Sequence, residues 1–222
     1  SAIYGKPVDE ITKPERFMGK TVVLGCGYGL GAVKFRSSLA LEGVSLTEDE
    51  SADIIRTYRE TYPNIVELWR ECQQMIEYME QDTSIKIGRP GVLKVRARRN
   101  AIELPSGLLL PYRGLRVKRN EKGRNEYEYK SRYGWNKIYG GKVVENICQA
   151  VARCIIGEQM IRIAKRYETV LTVHDAVACI APEREAEEAQ AYVEECMRWV
   201  PDWAEGLPVN CEAGYGGSYG EC

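Results

Sequence analysis

The order of helix-prone and strand-prone segments restricts the fold of this chain more than any other feature of its sequence. Up to about residue 84, apolar side chains recur at helical spacing, and Thr47 followed by Glu50 has the pattern of a capping box. From Ile85 onward, short β-prone runs broken by Gly and Pro replace that spacing, and one long helix is expected from about Lys142 to Lys165. We therefore predict an α+β (mixed α/β) chain, with a helical portion at 1–84 and a portion containing a small antiparallel sheet at 85–222.

The bounds of the single elements follow from caps, breakers and residue types. In the first portion, helices are predicted at 15–24, 32–41, from Thr47 to Pro63, and from Pro63 to about residue 80. In the second portion, strands are predicted at 92–97, 102–104, 108–112, 115–117 and 126–129, followed by an apolar hairpin at 169–173 and 177–180. An acidic helix from about 182 to 200 and a closing strand at 209–213 complete the prediction.

Composition excludes several classes of protein. With 44% hydrophobic and 28% charged residues, the 222-residue chain resembles folded soluble domains, which excludes disordered, collagen-like and coiled-coil classes. No apolar run approaches the roughly 18 residues that cross a bilayer, and no secretory leader is visible, so we expect a cytoplasmic protein without a membrane partner. The eight cysteines show no C-x-x-C spacing, and the single His174 cannot complete a Cys/His zinc site, which favours reduced thiols.

The charges are segregated along the chain although they nearly cancel. The formal net charge is −1, yet residues 86–142 hold 16 Lys or Arg against 4 Asp or Glu, a local +12. This segment also contains interleaved aromatic residues, namely Tyr112, Tyr127, Tyr129, Tyr133, Trp135 and Tyr139. Cations among aromatic rings are typical of surfaces that contact a nucleic-acid backbone. We expect nucleic acid at 86–142, and the acidic helix at 183–199 facing away from it.

The glycine series near residue 28 has two interpretations. Residues 27–32 fit G-x-G-x-x-A after an apolar run at 21–24, which is the pattern of a dinucleotide-binding turn in an oxidoreductase. Such a turn requires a strand–helix–strand unit, whereas the next sixty residues have the pattern of helices. Alternatively, Arg16, Lys20, Leu24 and Tyr28 share one face if the segment is helical. Two cations, an apolar residue and a ring in line suit a nucleoside triphosphate, whereas a solvated helix face with Tyr28 in the core is the simpler structural reading.

A single carboxylate lies at the tip of the predicted apolar hairpin. Asp175 follows His174 between two apolar strands, where a charge is costly unless water, a metal ion or a cation meets it. Asp175 is therefore a candidate ligand of a divalent metal in phosphoryl transfer. An ordinary turn aspartate that accepts backbone hydrogen bonds is the alternative.

Taken in order, these motifs resemble the C-terminal half of family A DNA polymerases, the DNA polymerase I type. The resemblance rests on Arg16, Lys20, Leu24-Gly25 and Tyr28-Gly29, then Tyr62-Pro63, then Gln149 early in a long helix, then Val173-His174-Asp175. The stretches at 104–107 (LPSG) and 139–150 (YGGKVVENICQA) look like the bacteriophage and prophage branch of that family. The resemblance covers nearly the whole chain and implies a bacterial or phage-infected cell as its location.

The resemblance implies a role for each of these residues. Residues 16–28 correspond to the fingers helix called motif B, with Arg16 and Lys20 on the dNTP triphosphate, Leu24 on the nucleotide, and Tyr28 at the base-pair and template end. Asp175 corresponds to the Mg²⁺-binding aspartate of motif C in the palm, with His174 beside the primer terminus. Gln149 and Asn146 fall where the family contacts primer-template DNA. The implied reaction is two-metal nucleotidyl transfer from dNTP to a primer 3′-hydroxyl.

The sequence also departs from the family pattern. Leu24 replaces an aromatic residue, Ala176 an acidic residue, and Cys154 an aspartate. The chain begins with Ser1, and the motif A aspartate and the thumb have no counterpart in it, so we expect an upstream segment to carry them and the isolated chain to be inactive. A non-catalytic DNA-binding polymerase remnant of a prophage is the alternative within this family, and the dinucleotide-binding oxidoreductase is the alternative outside it.

Overall fold

A computed structural model describes residues 5–41, 43–87, 93–96 and 100–222 of the chain. The helices are α1 (Lys13–Cys26), α2 (Ala32–Leu41), α3 (Glu48–Thr61), α4 (Pro63–Glu80), α5 (Gly140–Ile163) and α6 (Ala186–Arg198). The strands are β1 (Lys86–Ile87), β2 (Leu93–Arg96), β3 (Ala101–Glu103), β4 (Leu109–Pro111), β5 (Arg116–Arg119), β6 (Asn125–Ser131), β7 (Gly134–Ile138), β8 (Glu168–Val173) and β9 (Ala176–Ile180). Helices followed by small antiparallel sheets confirm the predicted mixed α/β class.

Local capping explains where the first helices begin and end. The Thr47 backbone nitrogen donates to the Glu50 carboxylate at 2.8 Å, and the Glu50 nitrogen donates back to the Thr47 hydroxyl at 3.2 Å, which confirms the predicted capping box. Thr12 and Glu15 form the same arrangement at the start of α1. Pro63 separates α3 from α4, because a proline lacks the amide hydrogen that a continuing helix needs.

The chain divides into two compact units, one of residues 1–104 with 108–147 and the other of residues 105–107 with 148–222. In the first unit, α1, α2 and α3 share a core. Its buried members are Met18, Val22, Cys26, Phe35, Leu39, Ile55 and Tyr58. Each fully buried apolar side chain of this size stabilises the fold by about 1.5–3 kcal/mol, so packing rather than helix propensity holds these short helices.

Seven strands of the first unit form two antiparallel sheets, in the orders β1-β2-β3-β4 and β5-β6-β7. Strands β2 to β6 lie where strands were predicted, and the end residues Val92 and Ala97 of one predicted strand fall outside the described residues. Strands β1 and β7 are not predicted by the residue pattern. Strand β7 reads GWNKI, whose glycine, asparagine and lysine hide the alternation expected of a strand.

In the second unit, the C-terminal part of α5, the β8–β9 hairpin and α6 surround a small core of Ile163, Tyr167, Ala189 and Cys196. The predicted hairpin is confirmed, with Val173 opposite Ala176 and a two-residue turn between them. The predicted long helix and the predicted acidic helix correspond to α5 and α6.

The predicted closing strand at 209–213 is wrong. This segment forms no strand, because side chains of α6 occupy its polar groups instead of a neighbouring strand. Arg198 donates to the Asn210 side chain at 3.1 Å and to the Cys211 carbonyl at 3.3 Å, and Gln190 donates to the Ala213 carbonyl at 3.1 Å. The segment is therefore bonded along a helix and not into a sheet.

Two further expectations concern thiols and membranes. All eight cysteines carry free thiols, as the spacing predicts. Among the described residues, no helix is long and apolar enough to cross a membrane.

Candidate functional site

One exposed face of α1 carries three of the four residues that the sequence places in line. Arg16, Lys20 and Leu24 are spaced by four and are exposed, Leu24 by 55%, while Met18 and Val22 point into the core. Residues four apart lie one above the other on a helix. Two cations and an apolar side chain thus form a continuous exposed stripe.

Tyr28 does not continue this stripe as a helical residue. Helix α1 ends at Cys26, and Tyr28 follows in a turn, where it is half-buried. The prediction of a shared face for all four residues assumed that the helix reaches residue 28. Because the helix ends one half-turn earlier, the ring of Tyr28 is placed by the turn and its neighbours.

Contacts from distant parts of the first unit fix that turn. The Trp69 indole nitrogen on α4 donates to the Gly27 carbonyl at 2.8 Å, and the Gly140 nitrogen donates to the Gln73 side chain at 3.1 Å. Gly141, at the start of α5, lies so close that an added Cβ would be 2.3 Å from the Tyr28 carbonyl oxygen. A Cβ on Gly140 would be 1.9 Å from the Trp69 carbonyl oxygen. Only glycine permits this approach of three backbone segments.

Residue chemistry alone predicts no role for Trp69, Gln73, Gly140 or Gly141. The adjacent glycines at 140–141 were the one indication in the sequence of a special role for this segment. Glycine within a helix lowers stability by about 0.5–1 kcal/mol relative to alanine, so two glycines there call for a structural explanation. Close backbone approach is that explanation.

A cavity of about 360 Å³ opens beside the same turn. The residues that line it include Gly29, Arg59, Trp69, Arg70, Tyr139, Gly140 and Gly141. The Arg59 guanidinium lies 5.8 Å from the centre of the Trp69 ring, and Arg70 pairs with Glu67 at 2.7 Å. Guanidinium groups beside aromatic rings suit phosphates and planar bases.

In the second unit, the tip of the β8–β9 hairpin exposes His174 and Asp175. These two residues form the whole loop, and His174 has a φ of 55°. A residue other than glycine in this left-handed region stores about 1–2 kcal/mol of strain, and such strain clusters at functional sites. The Asp175 carboxylate projects into solvent, where it can accept a cation or a metal ion.

The carboxylate of Asp175 has no cluster of ligands around it. Among the described residues, no group of three His, Cys, Asp or Glu side chains could hold a metal ion. Ala176 occupies the next position and brings no oxygen. Cys154, which replaces an aspartate of the family pattern, is buried, and its sulfur lies 3.1 Å from the Ser106 hydroxyl.

Two further candidates lie on α5. Asn146, in the first unit, donates from its side-chain amide to the Tyr112 hydroxyl at 3.2 Å. Burial raises the pKa of Tyr112 to about 12, so this hydroxyl stays protonated. Gln149, in the second unit, is exposed. Asn146 is thus half-buried and bonded to Tyr112, whereas Gln149 presents its side chain at the surface.

The structure divides the aromatic residues of the basic stretch into two groups. Tyr112 and Tyr127 are buried in the first unit, and the half-buried Tyr129 packs edge-on against Tyr112, with 5.2 Å between the ring centres. Tyr133, Trp135 and Tyr139 are exposed, Tyr133 by 82%. Only the second group is available to stack on a base or sugar.

The dinucleotide-binding interpretation does not fit the fold. The apolar run at 21–24 lies inside α1, and the helices α2, α3 and α4 follow the glycine series. A dinucleotide-binding turn joins a strand to a helix and leads into a second parallel strand. The glycines at 27, 29 and 31 instead end one helix and begin the next.

Comparison with known proteins places these features in context. Residues 1–221 match the family model described as DNA polymerase family A. The chain is 30% identical over 222 residues to a DNA polymerase of Bacillus phage SP02, in an alignment that covers 95% of this chain and 34% of that relative. The chain thus spans about a third of the length of the relative it matches.

Proposed function

This chain belongs to DNA polymerase family A, and we propose that it forms the fingers and the C-terminal part of the palm of a DNA-directed DNA polymerase. In this proposal, residues 1–84 form the helical fingers portion, and residues 85–222 form a palm portion. The reaction is template-directed transfer of a nucleotide from dNTP to a primer 3′-hydroxyl, in the cytoplasm of a bacterial or phage-infected cell. The observation that carries the proposal is the exposed stripe of α1 beside the fixed turn of Tyr28.

The stripe offers the groups that a dNTP requires. Arg16 and Lys20 lie one helical turn apart, about 6 Å, which lets both cations bind neighbouring phosphates. Leu24 continues the stripe with an exposed apolar side chain that packs against the sugar or base. Tyr28, held by the turn, lies at the base-pair end.

Asp175 is the residue that would hold Mg²⁺. An exposed carboxylate at the tip of a tight hairpin fits this ion, which is commonly bound through one or two carboxylates and the substrate phosphates. When bound, the metal stabilises the negative charge that develops on the attacking and leaving oxygens. His174 lies beside Asp175 in the same turn and is proposed to contact the primer terminus, while Gln149 and Asn146 are proposed to contact the primer-template.

A single carboxylate is insufficient for a two-metal site, which needs ligands from separate segments. We therefore propose that an upstream segment, with a second aspartate and the thumb, completes the site. The hairpin provides a surface for it, because Val170, Leu171, Val173 and Ile180 are 42–61% exposed. A two-stranded hairpin with uncovered apolar side chains is marginal alone, and a further strand would stabilise it.

The stripe is tested by dNTP binding. The double variant Arg16→Ala/Lys20→Ala removes both cations, and the loss of each charge-assisted contact costs about 1.5–3 kcal/mol, so affinity should fall at least tenfold. Lys34→Ala/Arg56→Ala is the matched control, since it removes two cations from exposed positions of α2 and α3, outside the stripe. Equal affinity of the double variant and the control would contradict the assignment.

The proposed need for an upstream segment is tested by primer extension under two conditions. In one, the chain is isolated; in the other, the rest of the polymerase is supplied as a second polypeptide. We expect extension only in the mixture. Extension by the isolated chain would refute the proposed need for an upstream segment. Primer-template binding without extension in the mixture would instead identify the non-catalytic remnant, which the replacements at Leu24 and Ala176 favour.

A further inference from the structure

The sheet β5-β6-β7 concentrates positive charge far beyond the average of the chain. From Arg113 to Lys137 there are nine Lys or Arg against three Glu, whereas the whole chain has a net charge of −1. Soluble proteins usually intersperse charges of both signs over their surface. A three-stranded sheet with this surplus needs a physical explanation.

Strand register places four of these nine cations, and two of the three glutamates, on one face. Arg116, Glu128 and Lys137 lie opposite one another across the three strands, Lys118 lies opposite Glu126, and Lys130 lies opposite Trp135. Directly opposed residues share a face of the sheet, and neighbours two apart along a strand do as well. We call this set the outer face: Arg116, Lys118, Glu126, Glu128, Lys130, Trp135 and Lys137.

The other face of the sheet packs into the first unit. Tyr127 and Ile138 are buried there, whereas Val117, opposite Tyr127 on the edge strand β5, is 39% exposed. The outer face is consequently the solvent face. This division explains why the tyrosines at 127 and 129 alternate with charged residues along β6.

Both acidic side chains of the outer face are already paired. Glu128 binds Arg116 at 2.5 Å, and Glu126 binds Lys137 at 2.6 Å. The hydrogen bond from Lys137 holds the pKa of Glu126 below its usual value, so this carboxylate stays ionised in its pair. Within the described part of the chain, Lys118 and Lys130 form no ion pair. With four cations against two carboxylates, the face keeps a net charge of +2, although the charge of Lys118 also helps to lower the pKa of Glu126 across the strands.

Two guanidinium–ring pairs lie in the same sheet, one on the outer face and one at the β6–β7 turn. The Arg116 guanidinium lies 3.5 Å from the centre of the Trp135 ring, and the same guanidinium is tied to Glu128. At the β6–β7 turn, the Arg132 guanidinium lies 4.5 Å from the centre of the exposed Tyr133 ring. Stacked guanidinium–ring pairs present flat surfaces with positive charge, which suit the phosphates and bases of a nucleic acid.

We propose that the outer face binds the sugar–phosphate backbone of DNA, as a contact surface additional to the α1 stripe and the hairpin tip. Lys118 and Lys130 neutralise phosphates, and Tyr133 with Arg132 contacts a base or sugar at the edge. Lys118 pairs across the strands with Glu126, and Glu126 precedes Lys130 by four residues on β6. The two lysines are therefore about 13 Å apart along the strand direction. At 3.4 Å per nucleotide, this corresponds to roughly four nucleotides of one DNA strand. The inference rests on the proposed polymerase function.

The test is the salt dependence of primer-template binding, measured by fluorescence anisotropy with labelled DNA between about 50 and 200 mM salt. Each phosphate contact contributes about 0.9 to the slope of log affinity against log salt. Lys118→Gln/Lys130→Gln should therefore reduce this slope by about 1.8. Lys165→Gln/Arg184→Gln, which removes the same charge from exposed positions of the second unit, should leave it unchanged.

The Arg double variant, Lys118→Arg/Lys130→Arg, keeps both charges and should retain the slope, which separates loss of charge from loss of fold. A glutamine variant with the slope and affinity of the unaltered chain would overturn the inference and leave the proposed function intact. If the unaltered chain, combined with the rest of the polymerase, did not bind primer-template at all, the proposed function would fail, and this inference with it.

Discussion

The indole nitrogen of Trp69 donates a hydrogen bond to the carbonyl oxygen of Gly27 at 2.8 Å, and this bond ties α4 to the turn that carries Tyr28. From the other side, Gly141 reaches the Tyr28 carbonyl so closely that no side chain fits between them. Helix α1 thus presents its stripe at a defined place, because its C-terminal end is bonded to α4 and packed against α5. The position of Tyr28 depends on residues far from it in sequence.

Trp69→Phe removes the bond to Gly27 and keeps most of the packing. The half-buried Gly27 carbonyl is left without its donor, which should lower the free energy of unfolding by about 1–3 kcal/mol in urea denaturation. The dNTP affinity should fall with it, because the turn loosens. Trp203→Phe is the control, since Trp203 donates a comparable bond to Glu158 at 3.0 Å in the second unit. If both variants bind dNTP equally well, the turn does not position the nucleotide site.

Gly141→Ala should be strongly destabilising. Its Cβ would lie 2.3 Å from the Tyr28 carbonyl oxygen, and the backbone there has no flexible end that could move aside. We expect a loss of about 2 kcal/mol or more in chemical denaturation, typical of strain in a packed region. Gly157→Ala in the same helix meets nothing within 4 Å and should be neutral or stabilising by up to about 1 kcal/mol. Similar effects at both positions would contradict the close approach.

His174→Gly should raise thermal stability. The φ of 55° at His174 is strained for histidine and open to glycine, so the substitution should gain about 1 kcal/mol. The same variant should weaken primer-template binding, because it removes the side chain proposed to contact the primer terminus. A melting temperature at or below that of the unaltered chain would show that the turn is not strained.

The pH dependence of stability has a component from Glu15. A hydrogen bond from the Lys6 ammonium, followed by bonds from Thr12, lowers the pKa of Glu15 from 4.5 to about 2. A depressed carboxyl pKa stabilises the folded chain fully above 4.5, and this contribution is lost as the pH falls towards 2. Glu15→Gln should therefore be less stable near neutral pH, with a difference in melting temperature that shrinks through this window. A difference that stays constant with pH would exclude the ionised carboxylate as its cause.

Much of the fold follows from local signals, and the exceptions have physical reasons. The Thr47–Glu50 capping box and Pro63 set helix bounds that the sequence alone predicts, because caps and breakers act within a few residues. The Tyr28 turn was not predictable in this way, since Trp69 and Gly141 fix it from 41 and 113 positions away. Periodicity reports which face of an element is buried, and it does not report which distant backbone lies against it.

The surroundings of the charged and aromatic side chains were also only partly predictable from the sequence. The surplus of positive charge at 86–142 is visible in the sequence. The sequence does not indicate that Tyr112 is buried in the core while Tyr133 is exposed. At 209–213, apolar and polar residues alternate as in a strand, yet bonds from Arg198 and Gln190 satisfy the segment without a neighbouring strand. In both cases, contacts with residues distant in the sequence determine the observed structure.

The most direct test of the polymerase assignment is primer extension by the chain combined with the rest of the polymerase, comparing Asp175→Asn with Glu168→Gln. Both residues are exposed on the same hairpin, and both changes remove one negative charge. If Asp175 holds the catalytic Mg²⁺, the extension rate should fall at least 100-fold, by about 2.7 kcal/mol, in the first variant and stay unchanged in the second. An extension rate of Asp175→Asn equal to that of the control would contradict the account.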